Sequence, residues 1–157
     1  MKASSINELK QELNNTSPKD LLELCLRLAK YKKENKELLS YLLFEANDEE
    51  SYIKNVKAEI DLQFTEINHS NLYFTKKNLR KILRTTSRHI KYTASKTAEA
   101  ELLIYFCTTL KNSGIPIYKS AALTNLYEGQ LKKIKTVVST MHEDLQYDYL
   151  KEVEKLG

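Results

Sequence analysis

The stretch "AEAELLIYFCTTLKN" at residues 98–112 decides the architecture. Its middle, "LLIYFC" at 102–107, offers no polar side. A helix that is apolar around its whole circumference must be enclosed by other elements. This segment is therefore read as the central helix, with Ser95 and Thr97 offering caps at its start. "NSGIP" at 112–116 stops it: Gly114 suits a left-handed C-cap and Pro116 bars continuation.

The surroundings read as helical too. The 157 residues hold 3 Gly, 2 Pro and no Trp, while Leu, Lys, Glu and Ala are abundant. Only "TVV" at 136–138 looks strand-like, and it lies inside a helical pattern. Downstream, Leu123, Tyr127, Leu131, Ile134, Val138 and Met141 recur at helical spacing. "HEDLQYDYLKEVEKLG" at 142–157 extends that helix or forms a frayed last one, with Leu145, Tyr149, Val153 and Leu156 on its packing side. Upstream, Tyr52, Ile53, Val56, Ile60, Phe64 and Ile67 mark a helix whose first turn is acidic, which suits the helix dipole.

Nearer the N-terminus, Ser4 or Ser5 caps a short helix bearing Ile6, Leu9 and Leu13. Ser17, Pro18 and Asp20 open a second helix, with Leu21, Leu22, Cys25, Leu28 and Ala29 on its apolar face. Asn35 is the expected cap of a third, "KELLSYLLFEA" at 36–46, whose apolar circumference predicts burial. The expected fold is all-α: six to seven helices in an antiparallel bundle or a short stack of α-hairpins, within a single domain spanning 1–157. No consensus repeats at a fixed period, so a longer array is not expected.

Charge is polarised. The net charge is +4, yet between Glu66 and Glu99 there are eight bases and no acid. The remaining 17 bases and 21 acids leave −4 elsewhere. The densest part is "KKNLRKILRTTSRHIK" at 76–91. On a helical wheel Leu72, Leu79, Ile82, Leu83 and Ile90 occupy an arc of roughly 100°. Lys76, Lys77, Arg80, Lys81, Arg84, Arg88 and Lys91 occupy a neighbouring arc of about 140°. No acid on the same helix neutralises them.

Two readings follow. In one, the stripe grips phosphates without base readout, since no helix-turn-helix or zinc-finger spacing is present. In the other, acids of the preceding helix (the "NDEESY" turn, Glu59, Asp61 and Glu66) face the stripe as ordinary structure or leave it for a protein partner. Charge runs are usually solvated faces, which favours the second. The candidate contact residues are Lys77, Arg80, Lys81, Arg84, Arg88 and Lys91.

Catalytic patterns are sparse. Three glycines cannot build a phosphate-cradling loop, no Cys pair has zinc-site spacing, and no G-x-S-x-G elbow occurs. Glu66 and His69 form one Glu-x-x-His, but di-iron bundles need two such motifs plus two further glutamates. No metal or cofactor is expected. Ten tyrosines against four phenylalanines need no special explanation, because Tyr packs its ring and sends its hydroxyl outward. Cys25 and Cys107 both lie in apolar runs and read as buried free thiols of a reducing compartment. No stretch has signal-peptide or membrane-span character, so a cytoplasmic location away from the membrane is expected.

Four stretches, "YLLFEANDEESYI" at 41–53, "KKNLRKILR" at 76–84, "ELLIYFC" at 101–107 and "LYEGQLKKI" at 126–134, resemble short all-helical bacterial proteins of an uncharacterised family. The resemblance implies a small cytoplasmic helical protein and carries over no catalytic residue. The resulting expectation is a non-enzymatic helical protein acting through protein–protein contacts, with sequence-nonspecific nucleic-acid binding through residues 76–91 as the alternative.

Overall fold

The computed structural model describes residues 1–157 and contains no strand. Eight α-helices follow one another: α1 (Ile6–Asn14), α2 (Pro18–Tyr31), α3 (Lys33–Ser40), α4 (Glu49–Thr65), α5 (Leu72–Thr93), α6 (Lys96–Asn112), α7 (Ala121–Val138) and α8 (Glu143–Leu156). A π-helical turn, Tyr41–Glu45, follows α3, and a 3-10 turn, Ile117–Lys119, precedes α7. No helix is long and apolar enough to cross a membrane. Residue contacts divide the chain into two compact units, Met1–Phe44 and Glu45–Gly157.

In the first unit the sequence signals set the helix starts. Ser5 and Glu8 form a full capping box on α1, and Ser17 accepts from the Asp20 amide at the start of α2, with Pro18 in the first turn. Helix α3 departs from expectation. It begins at Lys33 without a side-chain cap. Asn35 instead donates its side-chain amide to the Leu28 carbonyl at 2.8 Å, closing the end of α2. Helices α2 and α3 pack together, yet α1, α2 and α3 bury no residue. Leu22, Leu28, Leu42, Leu43 and Phe44 are exposed, so the expected burial of 36–46 is corrected: only Tyr41 is buried there. Two short helices packed along one seam cannot enclose a stretch that is apolar all round. Cys25 is likewise exposed rather than buried, while Cys107 is buried.

The second unit carries the core. Helix α6 packs against α4, α5, α7 and α8, the position its apolar circumference demanded. Ala98, Ala100, Leu102, Leu103, Phe106, Cys107 and Leu110 are its buried residues. The apolar set on α4, Tyr52, Ile53, Val56, Ile60 and Phe64, is buried as its spacing predicts. Phe64 meets Phe106 with ring centroids 5.6 Å apart. On α7, Leu123, Tyr127, Ile134 and Val138 face inward, with Gln130 in place of the expected Leu131. Gly114 takes φ +79 after α6, the left-handed value a glycine adopts without strain.

Helix α8 is tied at its far end. Val153 and Leu156 are buried. The Tyr127 hydroxyl donates to the Leu156 carbonyl at 2.6 Å, and Lys111 Nζ donates to the Lys155 carbonyl at 2.6 Å. These donors satisfy carbonyls that the last turn of any helix leaves free.

A candidate polyanion interface on α5

Helix α5 starts at Asn71, whose side chain accepts from the Phe74 amide at 3.0 Å. It ends at Ala94, which holds a left-handed φ of 48 and donates its amide to the Ile90 carbonyl. Its buried residues are Thr75, Leu79, Ile82, Thr86 and Tyr92. Two of these are threonines, and local bonds satisfy both. Thr86 donates to the Ile82 carbonyl at 2.9 Å, and Thr75 donates to the Asn71 carbonyl at 3.1 Å. A hydroxyl bonded within its own helix can be buried at little cost.

That choice rotates the helix relative to the apolar arc read from sequence. Leu72 is exposed, and Leu83 and Ile90 are half-buried. The arc Thr75, Leu79, Ile82 and Thr86 is centred roughly 160° from the seven bases at 100° per residue. Between Thr75 and Thr86 the bases therefore lie almost diametrically across from the buried arc, whereas in the last turn Tyr92 is buried on the side nearer Arg88. Lys77, Arg80, Lys81, Arg84 and Lys91 are exposed, and Arg88 is half-buried. From Lys77 to Lys91 the helix rises about 21 Å at 1.5 Å per residue.

Four acids at α4, its cap Asp48 included, are engaged elsewhere. Glu59 meets His89 Nε2 at 3.1 Å with one oxygen and accepts from Gln63 with the other. Asp61 accepts from the Tyr105 hydroxyl at 2.7 Å, and Glu49 accepts from the Ser95 hydroxyl at 2.6 Å. Asp48 caps α4 through the Ser51 amide. No carboxylate pairs with Lys77, Arg80, Lys81, Arg84 or Lys91. The hydrogen bond that Tyr105 donates to Asp61, with burial and the Asp61 charge adding, pushes the Tyr105 phenol up to about 12.

Sequence reading missed one polar chain. The Tyr52 hydroxyl lies 2.6 Å from His89 Nδ1, and the other ring nitrogen of His89 meets Glu59. A neutral imidazole protonated on Nε2 satisfies both bonds: it accepts from Tyr52 and donates to Glu59. The two partners stand 37 and 30 residues from His89, so no local pattern announces the triad. It clamps α5 to α4 just beside the basic face. The Glu66–His69 pair does not share a helix face. Helix α4 ends at Thr65, Glu66 is its C-cap, and His69 sits in the turn that follows.

A groove opens where the end of α5, the start of α6 and the second half of α7 meet. It encloses about 750 Å³, and Lys91, Lys96, Lys132 and Lys133 line it together with the single acid Glu99. Lys91 belongs both to this groove and to the α5 stripe. No family model, curated protein or solved structure matches the chain.

Proposed function

We propose that the Glu45–Gly157 unit is a non-enzymatic module that holds a nucleic-acid backbone on the exposed basic face of α5, without reading base sequence. The helices around α6 are taken as an antiparallel bundle that presents this face. The observation that carries the reading is the unpaired, outward-facing row Lys77, Arg80, Lys81, Arg84 and Lys91. Phosphate contacts give affinity that falls with salt. Four such contacts correspond to a slope of about −3.6 in log K against log salt on duplex DNA, or about two decades between 50 and 200 mM. Fluorescence anisotropy of a labelled duplex across a salt series tests this. Absence of binding at 50 mM salt, or binding unchanged in an Arg80→Glu/Arg84→Glu variant, refutes it.

The first unit supports a second reading, contact with a protein partner. Its three helices bury nothing and expose Ile6, Leu9, Leu13, Leu22 and Leu28. Leucine faces of this extent are normally covered by another helix. A second copy of the chain is the simplest such partner. Light scattering behind size exclusion reads the assembly. A wild-type chain that remains monomeric and binds no hydrophobic dye counts against this reading.

A further inference from the structure

The groove between α5, α6 and α7 has a feature the α5 stripe lacks: it is built as a trough rather than a ridge. Its floor includes Ile90, Leu103 and Val137. Lysines rise on both sides, Lys91 and Lys96 from the α5–α6 corner and Lys132 and Lys133 from α7. None of the four has a carboxylate partner, and Glu99 offsets one of the charges.

Gly129 lines the trough. It lies within α7, where a glycine costs about 1 kcal/mol relative to alanine. Its φ is not positive, and a Cβ added there would meet no atom within 4 Å. Neither backbone conformation nor close packing therefore requires a glycine at this position. What its missing side chain leaves is open space in the groove wall.

We propose that this groove seats a single-stranded stretch of nucleic acid, with phosphates on Lys96, Lys132 and Lys133 and sugar or base edges on the apolar floor. The proposal rests on the α5 reading, because Lys91 joins the two surfaces. Its volume is that of an ordinary ligand cleft, the size that suits a few unpaired nucleotides. The lining has no aromatic residue, so no base stacks strongly and no base preference is expected. The chemistry is electrostatic capture of a flexible backbone, continuing the α5 row around the corner onto α7.

The test uses the full chain, a labelled 15-nucleotide oligothymidine and a duplex of the same length, both at 50 mM salt. Two variants probe the groove differently: Gly129→Met fills it without changing charge, and Lys132→Glu/Lys133→Glu reverses one wall. Circular dichroism establishes that each variant keeps its helices. Both are expected to weaken oligothymidine binding at least tenfold, while Gly129→Met changes duplex binding less than twofold. Wild-type affinity for oligothymidine in either folded variant overturns the groove proposal. If Arg80→Glu/Arg84→Glu still loses binding in that case, the α5 reading survives alone. If the wild-type chain binds neither probe, both fall. Should Gly129→Met not fold, the double lysine variant decides by the same criterion.

Discussion

Phe106→Ala is the perturbation that most directly tests the architecture presenting the basic face. Phe106 is 0% exposed on the central helix and packs against Phe64 of α4. Truncation to alanine forfeits about 150 Å² of buried apolar area, worth about 4 kcal/mol at 25 cal/mol per Å². The lost ring pair adds about 0.5–1.5 kcal/mol, and partial collapse of the cavity takes some back, which returns the total to about 4 kcal/mol. A unit of this size has roughly 6–17 kcal/mol of stability in all. With a urea slope of about 1.5 kcal/mol per molar, the unfolding midpoint falls by about 2.5 M. Ellipticity at 222 nm across a urea series reads this shift. The matching control is Leu28→Ala in α2, where the side chain is 63% exposed and the expected change is within about 0.5 kcal/mol. A Phe106→Ala loss below about 1 kcal/mol, with an unchanged slope, would refute the placement of α6 at the centre.

Three further outcomes follow from particular residues. Ala94 ends α5 in the left-handed region, so Ala94→Gly is expected to stabilise the unit by about 1 kcal/mol in the same urea assay. Burial pushes the Cys107 thiol up to about 12, and Tyr127, through burial first, also rises to about 12, alongside Tyr105. Each group holds its proton more tightly folded than unfolded. Their contribution is complete below about pH 9 and is lost as pH climbs toward 12, so melting temperature is expected to drop steeply over that window. Cys25 is exposed and Cys107 buried, so a thiol reagent at pH 8 is expected to titrate one cysteine quickly and the second only after denaturant is added.

The basic row shows how local pattern and three-dimensional packing divide the work. Its position on one helix face, and the absence of acid within reach along α5, follow from spacing alone. What lies across from it does not. Whether Glu59 and Asp61 face Arg80 or turn away depends on how α4 and α5 are rotated about their axes. His89, on α5 itself, and Tyr105, on α6, draw those carboxylates off, from positions 30 and 44 residues away along the chain. The burial of Thr75 and Thr86 in place of Leu72 and Ile90 was equally hidden, because a hydroxyl that bonds its own helix loses its polar signature only once the helix exists. The lysine groove unites residues 91, 96, 132 and 133, a set that no window along the chain brings together.

The sequence by itself determined that the chain is helical, where most helices begin and end, and which helix sits at the centre. These are properties of local energetics: caps, breakers and a 3.6-residue apolar period act over a few residues. Tertiary structure alone decided which apolar faces are covered. The apolar residues of α2 and those of α4 both recur at helical spacing, yet Leu22 and Leu28 of α2 stay exposed, whereas Tyr52, Ile53, Val56, Ile60 and Phe64 are buried where α4 packs against α6. It also decided that Lys77, Arg80, Lys81, Arg84 and Lys91 of α5 stand without a carboxylate partner, since pairing depends on the rotation of one helix against another, and side-chain partners 30 or more residues away set that rotation.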